Sequence, residues 1–230
     1  MSGLLTAAQL TGRDESHLVE LPCGQRLQPA VARDLDALRR DARDAGFDLA
    51  VASGFRSFGR QLTIWNGKAC GERPVHDDQG LALDLACLSP DQQLHAILRF
   101  SALPGASRHH WGTDLDVFDA AAMPEGYQLQ LSPQEVAPGG LFDDFHNWLD
   151  DRIARAEAHG FYRPYAEDRG GVAPERWHLS HAPLSQACAG QLDAQILQQS
   201  WDDSGETLSL RTEVESQLAT IIERYVIGMG

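Results

Sequence analysis

Strand-like segments are few and far apart in this sequence, and that spacing constrains the fold more than any other feature. FDLAVAS (Phe47 to Ser53), Thr113 to Phe118 and Arg176 to His181 place apolar residues at alternate positions, and Tyr127 to Leu131 is a weaker candidate. Amphipathic helices fill the intervals. From about Gln28 to Ala45, the residues Val31, Leu35, Leu38, Ala42 and Ala45 recur at helical spacing, and Gly46 supplies a stop. A second helix is predicted from about Ser57 to Trp65. Ser89-Pro90-Asp91-Gln92 and Ser132-Pro133-Gln134-Glu135 each place a serine at the N-cap, a proline at N1 and a reciprocal partner at N3. Phe142, Phe145, Trp148, Leu149, Ile153 and Ala156 mark a further helix stopped by Gly160. Helices near 186–199 and 212–226 close the chain. Strands this dispersed do not form βαβ units, so the pattern predicts an α+β fold rather than a doubly wound parallel sheet.

There is no internal repeat and no linker long enough to separate independent domains. Residues 1–184 are expected to form one domain with a polar excursion near 66–104. Residues 185–230 are expected as a helical extension on the same domain, with Val214, Leu218, Ile221, Ile222 and Tyr225 as a buried stripe. Nineteen Lys+Arg against 33 Asp+Glu give a net charge of −14, which argues against nucleic-acid binding and adhesion to anionic membranes. No apolar run approaches the roughly 20 residues of a membrane span. The N-terminus lacks a basic region of the signal-peptide kind. Cys23, Cys70, Cys87 and Cys188 form no C-x-x-C pair. The expected compartment is the cytoplasm, or the periplasm if a leader has been removed.

The chemistry concentrates in two segments. In SRHHWGTDLDVFD, His109 precedes a Trp111-Gly112 turn and Asp116 lies on the strand that follows, so the turn lets the two converge. Alone, this pair reads equally well as a structural His–Asp hydrogen bond. PERWHLSH adds His178 on a strand, with Glu175 three residues earlier. Two histidines and one aspartate suit zinc and leave a fourth position for water. Glu175 is then free to take a proton from that water.

S-x-H-x-x-G-x-x-x-D followed by E-x-W-H resembles the zinc D-alanyl-D-alanine carboxypeptidases, which share a fold group with lysostaphin-type peptidases and the hedgehog signalling domain. The upstream Ser53-Gly54-Phe55-Arg56-Ser57, followed by Gln61, is similar to that family's first motif, so the match spans residues 53–178. The resemblance implies a small antiparallel sheet flanked by helices. It implies one zinc per chain on His109, Asp116 and His178, with Glu175 as general base. Arg56 would stabilise the polarised carbonyl or anchor a substrate carboxylate, and Ser107 and Gln61 would bind substrate. The implied activity is hydrolysis of peptidoglycan stem peptides or soluble muropeptides, first as a D-alanyl-D-alanine carboxypeptidase. An L,D-carboxypeptidase, an L-Ala–D-Glu endopeptidase and a non-catalytic zinc module are the alternatives. No protein partner is implied.

Neighbouring residues receive plainer expectations. His110 should point away from the metal. Asp114 shares a strand face with Asp116 and competes for the ligand position, although the family spacing favours Asp116. His181 should face the other side of its strand in a supporting or surface role. His17, His76, His95, His146 and His159 show no partner pattern and are expected on solvated surfaces. Trp111 and Trp177 are expected to pack beside the site.

Overall fold

The computed structural model describes residues 4–227. A short helix α1 (Ala7–Leu10) and a two-stranded ribbon of β1 (Val19–Glu20) and β2 (Arg26–Leu27) precede the helix α2 (Pro29–Asp44). Val31, Leu35, Leu38 and Ala42 of α2 are buried as one stripe, while Ala45 is exposed because it caps the helix rather than continuing it. Next come β3 (Leu49–Ser53), α3 (Phe58–Ala69), α4 (Pro90–Leu98) and β4 (Asp114–Asp119). The helix α3 runs into the expected excursion because Ser57 caps its start and Trp65 and Gly67 bury its last turns. Ser89 and Gln92 form the reciprocal cap of α4.

The segment 127–131 is not a strand. Leu131 adopts φ 52°, and the Tyr127 hydroxyl and the Gln130 and Ser132 N–H groups all donate to the Glu135 carboxylate (2.8–2.9 Å). Glu135 lies in α5 (Pro133–Val136), a single capped turn, and α6 (Asp143–Ala154) follows. The chain continues through β5 (Phe161–Tyr162), absent from the sequence reading, and β6 (His178–His181). The tail comprises α7 (Ala182–Gln191), α8 (Ala194–Ser204), α9 (Arg211–Ser216) and α10 (Leu218–Ile222). Asp193 caps α8, which splits the expected helix near 186–199 in two.

The main sheet is antiparallel throughout, in the order β3-β4-β6-β5. Leu115 and Val117 of β4 and Leu179 of β6 face a core shared with Leu35 and Leu38 of α2 and Phe145 and Leu149 of α6. A second core joins Phe58, Leu62 and Trp65 of α3 to Trp201, Val214, Ile221 and Tyr225 of the tail. The fold is thus α+β, with helices packed around one small antiparallel sheet. Among the described residues no helix is long and apolar enough to cross a membrane.

His146, expected at the surface, is fully buried in α6 beside Phe145. Burial, reinforced by the charges of Arg163 and Arg176, pushes its pKa down to about 2. The unfolded chain takes up this proton below about pH 6.5, whereas the folded chain does not. Stability therefore falls as pH falls between those values, by about 1.4 kcal/mol per pH unit from this residue. Urea melts of His146→Gln at pH 7 and pH 5 should show roughly 2 kcal/mol less acid sensitivity than the parent. Equal acid sensitivity in the two proteins would assign the effect elsewhere.

Candidate metal centre

Two adjacent strands and one turn build the site. In the β4/β6 ladder Asp116 stands opposite His178, Asp114 opposite Ser180 and Leu115 opposite Leu179. Successive side chains alternate faces, so burial of the leucines on the helices turns Asp114, Asp116, His178 and Ser180 together to the other face. His109 arrives from a 3₁₀ turn, Arg108–Trp111, that Gly112 ends in the left-handed conformation (φ 67°). A Cβ on Gly112 would lie 2.3 Å from Leu18 Cδ2, and its carbonyl accepts from the Gln28 N–H (2.9 Å). Only glycine meets both demands.

His109, Asp116 and His178 are all buried, and one potential ligand atom from each lies within 4.8 Å of the others. Asp116 Oδ2 is 3.5 Å from His109 Nε2, and Asp116 Oδ1 is 3.1 Å from His178 Nδ1. The far nitrogen of each ring is held by the protein. His109 Nδ1–H donates to the Gly54 carbonyl (2.7 Å), at the end of β3 where a bulge between Val51 and Ser53 bends the strand. His178 Nε2–H donates to Asp114 Oδ1 (3.0 Å). Each ring therefore turns its other nitrogen toward Asp116, where it can serve a metal once unprotonated. Two imidazole nitrogens and a carboxylate oxygen, buried and oriented in this way, fit a zinc ion.

Asp114 thus supports His178 and lies outside the three-residue set. Its Oδ1 also accepts from Arg108 Nε (2.8 Å) and its Oδ2 from the Thr113 hydroxyl (2.6 Å). Arg108 in turn donates to Ser180 Oγ (2.6 Å) and lies over the Trp111 ring (4.9 Å). Burial opposes ionisation of Asp114, but Arg108 and His178 hold its carboxyl well below the usual range. Burial likewise disfavours a charged His178, yet hydrogen bonds to Asp114 and Asp116 raise its pKa to about 9. Metal binding at its Nδ1 must displace that proton.

Glu175 stands beside this set. Its N–H donates to the Tyr165 carbonyl (3.0 Å), and its Oε2 lies 3.7 Å from His178 Nδ1. Its side chain is 18% exposed, so it is open to a small molecule at the site. Burial raises its pKa to about 7, with His178 opposing and the nearby Asp116 reinforcing. Arg56 is half-buried, and its Nη1 donates to Gln61 Oε1 (3.0 Å). Gln61, expected at substrate, is buried; its Nε2 donates to the Ala102 carbonyl (2.6 Å), which fixes the carboxamide that holds Arg56. Ser107, also expected at substrate, is buried at the start of the His109 turn, where its carbonyl accepts from the His110 N–H (2.9 Å).

The remaining histidines separate cleanly. His110 is buried away from the three-residue set, bridging the Arg56 carbonyl (2.6 Å) and the Gly105 N–H (3.1 Å). His181 is no surface residue: it is buried against Phe161 and pairs with Asp34 of α2 (2.9 Å). His95 packs on Tyr225 in the tail, and His17 is half-buried, so neither is freely solvated. His76 and His159 are exposed as expected. Arg108 and Tyr165 carried no sequence signal, because their roles depend on partners 6 to 72 residues away.

Comparison with known proteins covers the part of the chain that carries these residues. The family model described as VanY, D-alanyl-D-alanine carboxypeptidase, matches residues 24–184. An uncharacterized protein of Haemophilus influenzae is 48% identical over 103 residues, covering 43% of this chain and 70% of its own length. Among solved structures, VanYB in complex with D-alanine-D-alanine is 21% identical with a TM-score of 0.52, covering 89% of this chain and 91% of that one. A mutant of the vancomycin-resistance D,D-pentapeptidase VanY in complex with Zn(II) is 23% identical with a TM-score of 0.51, covering 87% and 90%. The LD-carboxypeptidase LdcB is 20% identical with a TM-score of 0.51, covering 88% and 80%. The family match spans the main sheet, the turn and the three-residue set, and the chain is a metallopeptidase of the VanY D-alanyl-D-alanine carboxypeptidase family.

Proposed function

We propose that this protein is a zinc-dependent D-alanyl-D-alanine carboxypeptidase that removes the terminal residue from peptidoglycan-type peptides. The observation that carries the reading is Glu175, a partly open carboxylate beside a buried His-Asp-His set. A purely structural metal site has no need of such a base. His109, Asp116 and His178 would hold one zinc ion, which when bound supplies Lewis-acid polarisation of the scissile carbonyl and acidifies the attacking water. Glu175 takes the proton from that water and delivers it to the departing amine, roles that a pKa near neutrality suits. Arg56, held by Gln61, offers a fixed guanidinium to the oxygen of the attacked carbonyl.

Defined muropeptides ending in D-Ala-D-Ala, in a single D-Ala and in an amidated D-Ala-D-Ala separate the possible specificities by mass spectrometry. The expected result is loss of one alanine from the first substrate alone. Cleavage of the second would favour the L,D-carboxypeptidase reading, for which the equal structural likeness to LdcB is the support. Internal cleavage, indifferent to amidation, would favour the endopeptidase. Four free cysteines, three of them exposed, support a reducing compartment and soluble muropeptides as substrates. Cell fractionation tests that placement.

A further inference from the structure

The side chain of Lys68 lines a cleft of about 800 Å³ whose wall includes Ala173 and Pro174, the residues immediately before Glu175. Lys68 lies in the last turn of α3, seven residues after Gln61 and so about two turns along the same side of the helix. The cleft contains a second strong cation, Arg99, but that guanidinium is fully engaged. It pairs with Asp78 (2.7 and 3.0 Å) and with Asp168 (3.0 and 2.5 Å) and donates to the Gly171 carbonyl (3.0 Å). Lys68 has no ion pair or hydrogen bond among the described residues, although it is half-buried. Burial lowers its pKa, the charges of Arg73 and Arg56 act in the same sense, and Glu175 opposes them. The ammonium thus stands unpaired in a cleft whose wall runs through Ala173 and Pro174 into Glu175.

A desolvated ammonium without a partner is unfavourable, and an incoming anion relieves it. A carboxypeptidase substrate carries such an anion one residue past the scissile bond, within about 3.6 Å of chain per residue. Arg56 is tied to Gln61 and to the backbone around His109 and His110, which suits it to the carbonyl and leaves the terminus to another group. We propose that Lys68 binds the terminal carboxylate of the substrate and so confers the preference for a free C-terminus. This assignment rests on the carboxypeptidase reading above.

The test compares the zinc-loaded parent, Lys68→Met and Lys68→Arg on one pentapeptide ending in D-Ala-D-Ala, as free acid and as C-terminal amide. All other carboxylates of the peptide stay unchanged. Lys68→Met is expected to lose about 10- to 100-fold in kcat/KM on the free acid, mainly through KM, as befits a charged hydrogen bond. Its loss on the amide should stay below about threefold, the scale of a screened surface charge. Lys68→Arg should recover most of the free-acid activity. Zinc content and melting temperature, measured on each variant, show that the fold and the metal site are intact. Equal losses on acid and amide would overturn the assignment and place Lys68 in the service of Glu175. An undiminished preference for the free acid in Lys68→Met would overturn it while leaving the carboxypeptidase reading standing. A parent enzyme indifferent to amidation would remove both.

Discussion

Glu175→Gln is expected to lower kcat/KM by about 10²- to 10⁴-fold while leaving bound zinc and melting temperature unchanged. The amide keeps the size and shape of the carboxylate but cannot accept the proton from water. Glu175 lies outside the three residues whose ligand atoms cluster, so the metal should stay in place. Its backbone N–H, which ties it to Tyr165, is untouched by the change. Elemental analysis alongside steady-state kinetics distinguishes the outcomes. Lost zinc would make Glu175 a fourth ligand, and undiminished turnover would point to a different base.

The second large effect is expected at Asp114. Asp114→Asn should weaken zinc binding by about 10- to 100-fold, the range found when the partner of a metal-bound histidine is altered. The asparagine oxygen can still accept from His178 and Arg108, but it carries no charge to hold the proton on His178 Nε2. Asp114→Ala should add a loss of about 3–5 kcal/mol in folding stability, because the buried Arg108 is left without its partner. Chelator competition measures the first effect and urea melts the second. Unchanged zinc affinity in Asp114→Asn would confine the carboxylate to supporting Arg108.

The three-residue set could be named in the sequence because its motifs resemble those of a known family and part of its geometry is local. Gly112 turns His109 back toward Asp116 within seven residues, and strand alternation puts Asp116 and His178 on the face opposite Leu115 and Leu179. The stripe of α2 and the serine caps were readable for the same reason, since each depends on neighbours within four residues. What could not be read depends on distant partners. Tyr127 to Leu131 alternates like a strand, yet the buried Glu135 carboxylate captures the Tyr127 hydroxyl and the Gln130 N–H. His146 looks like a surface residue until its own helix α6 docks on the core, and His181 until Asp34 of α2 reaches it. Gln61 matches a motif position, but only the fold shows that its carboxamide bridges Arg56 to the Ala102 carbonyl. Strand β5 is too short to declare itself, and it forms because β6 offers an edge for Phe161 and Tyr162.

The strands β4 and β6 are neighbours in the sheet but are joined through residues 120–177. Their register fixes Asp116 and His178 at the two ends of this long connection. For a flexible connection, each doubling of length costs only about 0.6 kcal/mol of closure entropy. The same connection supplies Gln130, Ser132 and Asp168 to the wall of the cleft that Lys68 enters. It also carries Glu175, the core residues Phe145 and Leu149, and strand β5, so replacing it whole would remove the base and open the core. The two strands thus clamp both ends of a connection that is at once wall of the cleft, part of the core and carrier of the carboxylate beside the metal centre.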